Sequence, residues 1–118
     1  EYPRHIRSLD LDICLAPLLP CEFNDCKSNI KSLEFAVIGV PGVYSSSRPY
    51  LDMTLNTNDE DEFISNIEML TSDVDKRKEV YYNDFRTVEK QIYWEEHENL
   101  FHYINSYLLM FGKTLKAP

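Results

Sequence analysis

Residues 40–55, VPGVYSSSRPYLDMTL, lie near the middle of the chain and join two runs with the composition of β-strands. The upstream run, residues 32–40 (SLEFAVIGV), is apolar and contains β-branched side chains, as an interior strand does. In the downstream run, residues 49–55, apolar and polar side chains alternate, with Leu51 and Leu55 on the same side. We therefore predict two strands that are joined by a polar loop.

A further strand is predicted near the beginning of the chain. Residues 8–15 (SLDLDICL) alternate apolar and polar side chains, which is the period-two pattern of a half-buried strand. Its apolar side would consist of Leu9, Leu11, Ile13 and Leu15. Residues 16–29 follow with two prolines and a cluster of Asn, Asp and Ser, and they indicate a long loop.

The second half of the chain has the pattern of helices. Thr57 and Glu60 have the spacing of a capping box, which predicts that a helix begins there. The buried stripe of this helix would be Phe63, Ile64, Ile67 and Leu70. Ser72 or Asp73 is the predicted cap of a second helix. The apolar positions of the second helix are Val74, Tyr81, Phe85, Val88 and Ile92.

This helical pattern is interrupted over residues 94–99, where three acids follow Trp94 closely. We predict a break there, and one long helix is the alternative. A fresh apolar face begins at Leu100 and ends at Gly112, a residue suited to a helix C-terminus.

Three strands followed by two or three helices are the segregated order of an α+β domain. The second connection between strands is too short for the crossover that parallel strands require, which favours an antiparallel meander. We predict an antiparallel sheet of three or more strands, with the C-terminal helices packed on one face. The length of 118 residues fits a single domain over residues 1–118.

The negative charge is confined to one part of the chain. Residues 57–99 contain thirteen Asp or Glu and five Lys or Arg, whereas the remaining residues contain seven of each, for a net charge of −8. Nucleic acids and anionic membrane surfaces bind basic proteins, so we expect neither as a partner. The sequence also has no apolar run near the length of about 20 residues that spans a membrane.

The cysteines and histidines predict no metal site. Three cysteines, Cys14, Cys21 and Cys26, imply no disulfide framework, and we expect reduced thiols in a cytoplasmic or nuclear protein. Cys21 and Cys26 are further apart than a zinc-binding pair usually is, and a second pair is absent from the sequence. His97 and His102 do not share a helix face.

Motifs of catalysis are also missing from the sequence. It contains no Gly-x-Ser-x-Gly elbow, and its three glycines form no phosphate-binding loop. We therefore expect neither an enzyme nor a cofactor. An enzyme would require a cleft around Glu95, Glu96 and Glu98. The serines at positions 45–47 could accept a phosphate, although serines in a turn need no such explanation.

The C-terminal segment LFHYINSYLLMF, residues 100–111, is more aromatic than one buried helix face requires. Most of it is expected to be core, and any part left exposed would bind a partner protein. The candidate partner-binding residues are Phe101, Tyr103, Tyr107, Met110 and Phe111.

The loop at the centre of the chain resembles a signature of the RWD domain. That family is related to the ubiquitin-conjugating fold and carries Tyr-Pro-x-x-x-Pro between its third and fourth strands. Tyr44 matches the signature tyrosine and Pro49 its second proline, while Ser45 stands in place of the first proline. The segment HENLFHYINSYLL, residues 97–109, is similar to the closing helix of that fold.

This resemblance has implications for fold and function. The family begins with a helix and four strands, so this chain would be a fragment that lacks an upstream helix and strand. Tyr44 would fold back with its ring on the domain and its hydroxyl on a backbone partner, and Pro49 would fix the start of the next strand. A conjugating enzyme needs a cysteine after the fourth strand, and none follows Cys26. The resemblance thus implies a non-catalytic docking module.

We accordingly predict a non-enzymatic module that binds a partner protein through its acidic helical side or its aromatic C-terminal helix. The alternative is a small viral or host-range effector that binds and blocks a host protein, which the acidic composition rich in Tyr and Asn suggests.

Overall fold

The computed structural model describes residues 2–92, apart from the side chains of Pro3 and Ile92. Residues 2–88 belong to one compact unit, and of the second unit, which begins at Glu89, only residues 89–92 are described. The predicted break at 94–99 and the last predicted helix lie outside the described residues, and the single domain over residues 1–118 stays a prediction.

The described part of the chain contains five α-helices, one 3-10 turn and two short strands. In chain order these are α1 (Tyr2–Ser8), β1 (Cys14–Ala16), α2 (Glu22–Asp25), α3 (Ile30–Ile38), β2 (Gly42–Tyr44), the 3-10 turn (Arg48–Tyr50), α4 (Glu60–Ser72) and α5 (Val74–Ile92). The prediction of an antiparallel sheet with three or more strands was therefore wrong.

The two strands pair in parallel. Cys14 lies opposite Gly42 and Ala16 opposite Tyr44, and residues 17–41 with α2 and α3 form the crossover between them. A parallel pair needs a connection of about a dozen residues or more, and this segment supplies it. The predicted meander failed because residues 32–40, read as a strand, are part of that crossover.

Residues 8–15 do not form the predicted strand. Helix α1 ends at Ser8, the chain then turns with Asp10 at a φ of 52°, and β1 begins only at Cys14. The buried side of β1 consists of Cys14 and Ala16, whereas Leu9, Leu11 and Leu15 are exposed. Of the four residues on the predicted apolar side, Ile13 alone packs against the core, so the alternation of the sequence did not mark the buried face.

Residues 32–40 form helix α3 and its C-terminal cap rather than a strand. Ser32 and Ala36, four residues apart and thus on one helix face, are buried, and Val37 is exposed. Gly39 adopts a left-handed φ of 81°, with its N–H donating to Ala36 and that of Val40 donating to Phe35. These two bonds form the Schellman motif, which only a residue like glycine completes without strain.

Residues 49–55 form successive turns instead of a strand. The Tyr50 N–H donates to the carbonyl of Ser47, and the Met53 N–H donates to that of Tyr50. Met53 is buried while Leu51 is exposed, so the predicted inward side of a strand does not exist. Pro49, which has no N–H to donate to a strand partner, fits the first positions of the 3-10 turn.

Helix α4 was predicted correctly apart from its first residues. Its N-cap is Asp59, whose Oδ1 accepts the Glu62 N–H at 2.8 Å, and not Thr57. The Thr57 hydroxyl instead donates to Glu62 Oε2 at 3.0 Å and accepts the Asp59 N–H at the same distance. Phe63, half-buried, faces the core as predicted, whereas Ile64 is exposed.

Helix α5 begins where the sequence indicated, because Asp73 Oδ1 accepts the Lys76 N–H at 3.0 Å. Its buried side chains are Val80, Asp84 and Val88, which recur at four-residue intervals. Two other predicted core positions are not buried: Val74 is exposed, and Phe85 lies at the border of exposure. Tyr81 is half-buried and donates its hydroxyl to the Ala36 carbonyl at 3.2 Å, which ties α5 to α3.

Strand β2 lies between two clusters of core side chains, because successive side chains of a strand point to opposite faces. Tyr44 belongs to the cluster with Ala16, Ala36, Tyr50, Met53 and Val88. Val43 belongs to the cluster with Leu70 and Val80 on α4 and α5. Strand β2 is thus buried on both faces, and it positions the loop that comes after it.

Candidate functional site

Tyr44 is the centre of the first core cluster. Its side chain is 1 % exposed, its ring stacks on Tyr50 with centroids 4.8 Å apart, and Phe35 packs at 5.8 Å. Burial raises the pKa of its hydroxyl far above the ordinary value, and the charge of Asp84 adds to the shift. The ring leaves no room for a side chain on Gly42, since a Cβ there would collide with the Tyr44 hydroxyl.

The backbone of Tyr44 closes the loop that the sequence analysis singled out. Its N–H donates to the Leu55 carbonyl at 3.0 Å, and its carbonyl accepts the Thr57 N–H at 3.1 Å. Tyr44 and Asn56 thereby form a parallel bridge. We call residues 44–57 the tyrosine loop. Pro49 lies in its 3-10 turn, not at the start of a strand as the resemblance implied.

The three serines of the tyrosine loop hold it together. Ser45 and Ser47 are buried, and the Ser45 hydroxyl accepts the Leu18 N–H at 2.8 Å. The Ser46 hydroxyl donates to Asn56 Oδ1 at 2.8 Å, and the Ser46 N–H donates to Asn58 Oδ1 at 3.0 Å. The side chains of Ser45 and Ser46 thus tie the loop to Leu18 and Asn56.

Asp84 joins α5 to the turn before Asn56. One oxygen, Oδ1, accepts both the N–H and the hydroxyl of Thr54 at 2.8 Å. The other oxygen, Oδ2, is buried without a hydrogen-bond partner in the described structure. Burial raises the pKa of this carboxyl, while the two bonds from Thr54 lower it. Asp84 was not predicted as a site residue, although an acid between Val80 and Val88 on one helix face is a signal of a buried carboxylate.

Residues 17–23 form an exposed segment that we call the apolar loop. Leu19 is 79 % and Phe23 74 % exposed, while the backbone around them is held at both sides. The Leu18 N–H donates to Ser45, and the Leu19 carbonyl accepts from the buried Asn24 side chain at 2.7 Å. The sequence analysis described this segment only as a loop, because no periodicity separates an ordered loop from a loose one.

A cleft of about 390 Å³ separates the apolar loop from the beginning of α4. Its apolar lining comes from Pro17, Leu18, Leu19, Pro20 and Phe63. Asp59 and Glu60 line the other side. We call Asp59–Glu62, the cap and first residues of α4, the acidic turn. The cleft thus combines an apolar wall with a negatively charged one.

The cysteines do not come together as ligands. Cys14 is buried, and burial raises the pKa of its thiol, whereas Cys21 and Cys26 are exposed and all three are free. Within residues 2–92, no group of three or more His, Cys, Asp or Glu is placed to hold a metal ion. None of the helices within residues 2–92 has the length and apolar character needed to cross a membrane.

Other predicted site residues lie outside the described part of the chain. These are the partner-binding candidates Phe101, Tyr103, Tyr107, Met110 and Phe111, and the carboxylates Glu95, Glu96 and Glu98. Within residues 2–92, the predicted acidic helical side therefore supplies the candidate site, with the apolar loop as its neighbour.

Comparison with known proteins adds no relative, since no family model, curated protein or solved structure matches the chain. The RWD resemblance stays a prediction. The strands at 32–40 and 49–55 that would carry it are a helix and a series of turns.

Proposed function

We propose that this chain is a non-enzymatic module that docks a partner protein on its acidic helical side, with the apolar loop as part of the contact. The observation that carries the proposal is an ordered loop that exposes large apolar side chains. Leu19 and Phe23 face solvent although hydrogen bonds hold the backbone beside Leu19 and the helix that contains Phe23. Neighbouring exposed apolar residues, rimmed by polar ones, are characteristic of interaction surfaces.

The apolar loop leaves the large apolar side chains of Leu19 and Phe23 unburied, which has an energetic consequence. Burying a Leu or Phe side chain contributes about 1.5–3 kcal/mol, and the apolar loop forgoes most of that in the free chain. The ammonium group of Lys27 lies 5.2 Å from the centroid of the Phe23 ring, and the side chain is still 74 % exposed. A partner that covers both side chains would recover this free energy without first ordering the loop.

Hydrogen bonds show why the loop does not collapse onto the core. Arg48 donates its N–H to Asp25 Oδ1 at 3.1 Å, which fixes α2 beside the 3-10 turn. Asn24, buried in α2, holds the Leu19 carbonyl. These contacts keep Phe23 on the outer side of a four-residue helix.

Crosslinking in cells tests the proposal. The full chain and the variant Leu19→Ser/Phe23→Ser are crosslinked to neighbouring proteins and quantified by mass spectrometry. We expect a partner whose crosslinks map near residues 17–25 and α4, with recovery reduced at least tenfold in the variant. Val37→Ser, which changes a side chain 68 % exposed on α3, is the matched control and should leave recovery unchanged.

Equal recovery with the wild-type chain and with Leu19→Ser/Phe23→Ser would contradict the proposal, as would equal loss in the Val37→Ser control. The blocking effector named as the alternative would dock in the same manner, and the origin of the crosslinked partner separates the two readings.

A further inference from the structure

The cleft between the apolar loop and α4 has a chemistry that limits what it can bind. Its volume of about 390 Å³ lies toward the lower end of the range for ligand-binding sites, about 300–1,000 Å³. Leu18, Leu19 and Phe63 are among the lining residues that an apolar side chain would contact. The cleft is large enough for a few side chains and too small for a folded domain.

The acidic turn determines the sign of the potential at this cleft. It places four carboxylates in succession, from Asp59 to Glu62, where α4 begins. A helix N-terminus carries about half a positive charge, so the helix dipole cannot neutralise them. Asp59 and Glu62 are partly satisfied by the Glu62 N–H and the Thr57 hydroxyl, but Glu60 and Asp61 are simply exposed.

Within residues 2–92, the lining of the cleft supplies no basic group to offset these charges. The sequence has no Lys, Arg or His between Arg48 and Lys76, and none lines the cleft among the described residues. Lys76 is paired with Glu79 at 3.0 Å on α5. An occupant must therefore bring positive charge to the acidic turn and an apolar side chain to the opposite wall.

We propose that the cleft binds an extended segment of a partner protein in which large aliphatic side chains are flanked by lysine or arginine. This inference rests on the proposed function and specifies the partner's chemistry. An aliphatic side chain enters between Leu19 and Phe63, while the neighbouring cations lie over Asp59 and Glu60, the two acids that line the cleft. Charge complementarity of this kind speeds association and discriminates against acidic partners.

Fluorescence anisotropy with the purified full chain tests the inference directly. The probe is a labelled ten-residue peptide with two leucines flanked by four lysines. One comparison peptide replaces each lysine by glutamate, and another replaces each leucine by serine. We expect the first peptide to bind at least tenfold more tightly than either comparison peptide, and its affinity to fall as salt screens the charges.

Variants place the binding at the cleft. Glu60→Lys/Asp61→Lys changes one acid that lines the cleft and the next acid of the acidic turn, and it should weaken binding of the lysine–leucine peptide at least tenfold. The matched control, Glu68→Lys/Asp75→Lys, makes the same change in net charge on residues outside both the cleft lining and the acidic turn, and one of them, Asp75, is also in a first helical turn. The control should weaken binding less than threefold. Circular dichroism confirms that each variant is folded.

Equal weakening by the two double variants, or tight binding of the glutamate peptide, would overturn the inference. A dimer in sedimentation experiments that Glu60→Lys/Asp61→Lys disrupts would also overturn it, because a second copy would then be the occupant. These results are independent of the crosslinking test. If crosslinking finds a partner at the apolar loop while the lysine–leucine peptide does not bind, the proposed function stands and only the partner's chemistry is wrong.

Discussion

The tyrosine loop and the apolar loop differ in which side chains they bury: the first buries polar side chains, and the second exposes apolar ones. In the tyrosine loop, the polar side chains of Ser45 and Ser47 are buried, and the Ser45 hydroxyl accepts a backbone N–H. In the apolar loop, Leu19 and Phe23 are exposed while a buried asparagine holds the backbone. The two loops meet at the bond from the Leu18 N–H to Ser45. The interior loop packs within the fold, and we propose that the exterior one binds a partner.

This comparison predicts the largest loss of stability at Tyr44. Tyr44→Ala removes the ring that packs on Phe35 and Tyr50, and we expect the free energy of unfolding to fall by about 3–5 kcal/mol, as for large aromatic core truncations. Urea unfolding of the full chain measures it. Tyr44→Phe retains the ring and should retain most of the stability. A loss under 1 kcal/mol for Tyr44→Ala would contradict the central position of this ring.

Gly42→Ala should have the next largest effect. The new Cβ would collide with the Tyr44 ring and hydroxyl, and overpacking of this kind costs about 1–3 kcal/mol. The cause is tested by a double-mutant cycle with Tyr44→Leu, whose side chain lacks the colliding atoms. We expect Gly42→Ala to destabilise the Tyr44→Leu chain much less than the wild type.

Gly39→Ala is the control for this cycle, because its cost arises from a left-handed φ and a Cβ there would meet no neighbour within 4 Å. The loss of unfolding free energy caused by Gly39→Ala should add to the loss caused by Tyr44→Leu, with no coupling free energy between them. Strict additivity of Gly42→Ala and Tyr44→Leu would show that the collision is absent.

Asp84 should make the stability of the tyrosine loop depend on pH. Burial raises its pKa in the folded state above the unfolded value of about 3.9, so the folded state binds the proton more tightly. The stability from this carboxyl is fully present below about pH 4 and is lost as the pH rises through the folded pKa.

Denaturant unfolding of the wild type and Asp84→Asn across pH 4–8 measures this dependence. The free energy of unfolding of the wild type minus that of Asp84→Asn should decrease with rising pH. Thr54→Val, which removes one hydrogen bond that lowers the pKa of Asp84, should steepen the decrease. A difference that is constant across pH 4–8 would contradict the account.

The smallest effect on stability is expected in the apolar loop. Leu19→Ser and Phe23→Ser alter exposed side chains and should change the free energy of unfolding by no more than about 0.5 kcal/mol each. The same urea experiment checks this. A loss above 1.5 kcal/mol would show that these side chains support the fold, and the contrast between the two loops would disappear.

Local signals in the sequence were sufficient where a helix carries its own caps. Helix α5 begins after Asp73 as its capping pattern indicates, and α4 begins at Glu60, close to its predicted cap. An N-cap needs only one side chain and the N–H groups of the next turn, so the interaction is contained within a few residues. The carboxylates of the acidic turn could also be placed from the sequence, because they are consecutive residues beside a predicted cap.

Apolar segments without such signals were misassigned. The run at residues 32–40 suits a strand or a helix by composition alone, and its burial through Ser32 and Ala36 depends on the close approach of β2 and α5. Gly39 followed by Pro41 was the local sign of a helix end. For the candidate site, sequence identified the acids but not the exposure of Leu19 and Phe23, which depends on hydrogen bonds to Ser45 and Asn24.

The sequence by itself determined the confined negative charge, the cap of α5 at Asp73, the beginning of α4 to within a few residues and the importance of the segment around Tyr44. Only the tertiary structure decided that β1 and β2 pair in parallel, that Tyr44 is buried on Tyr50, and that Leu19 faces Phe63 across a cleft. The physical reason is the separation along the chain over which each interaction acts. Caps and charge act within a turn or along the chain, whereas strand pairing and burial require segments distant in sequence to meet and exclude water together.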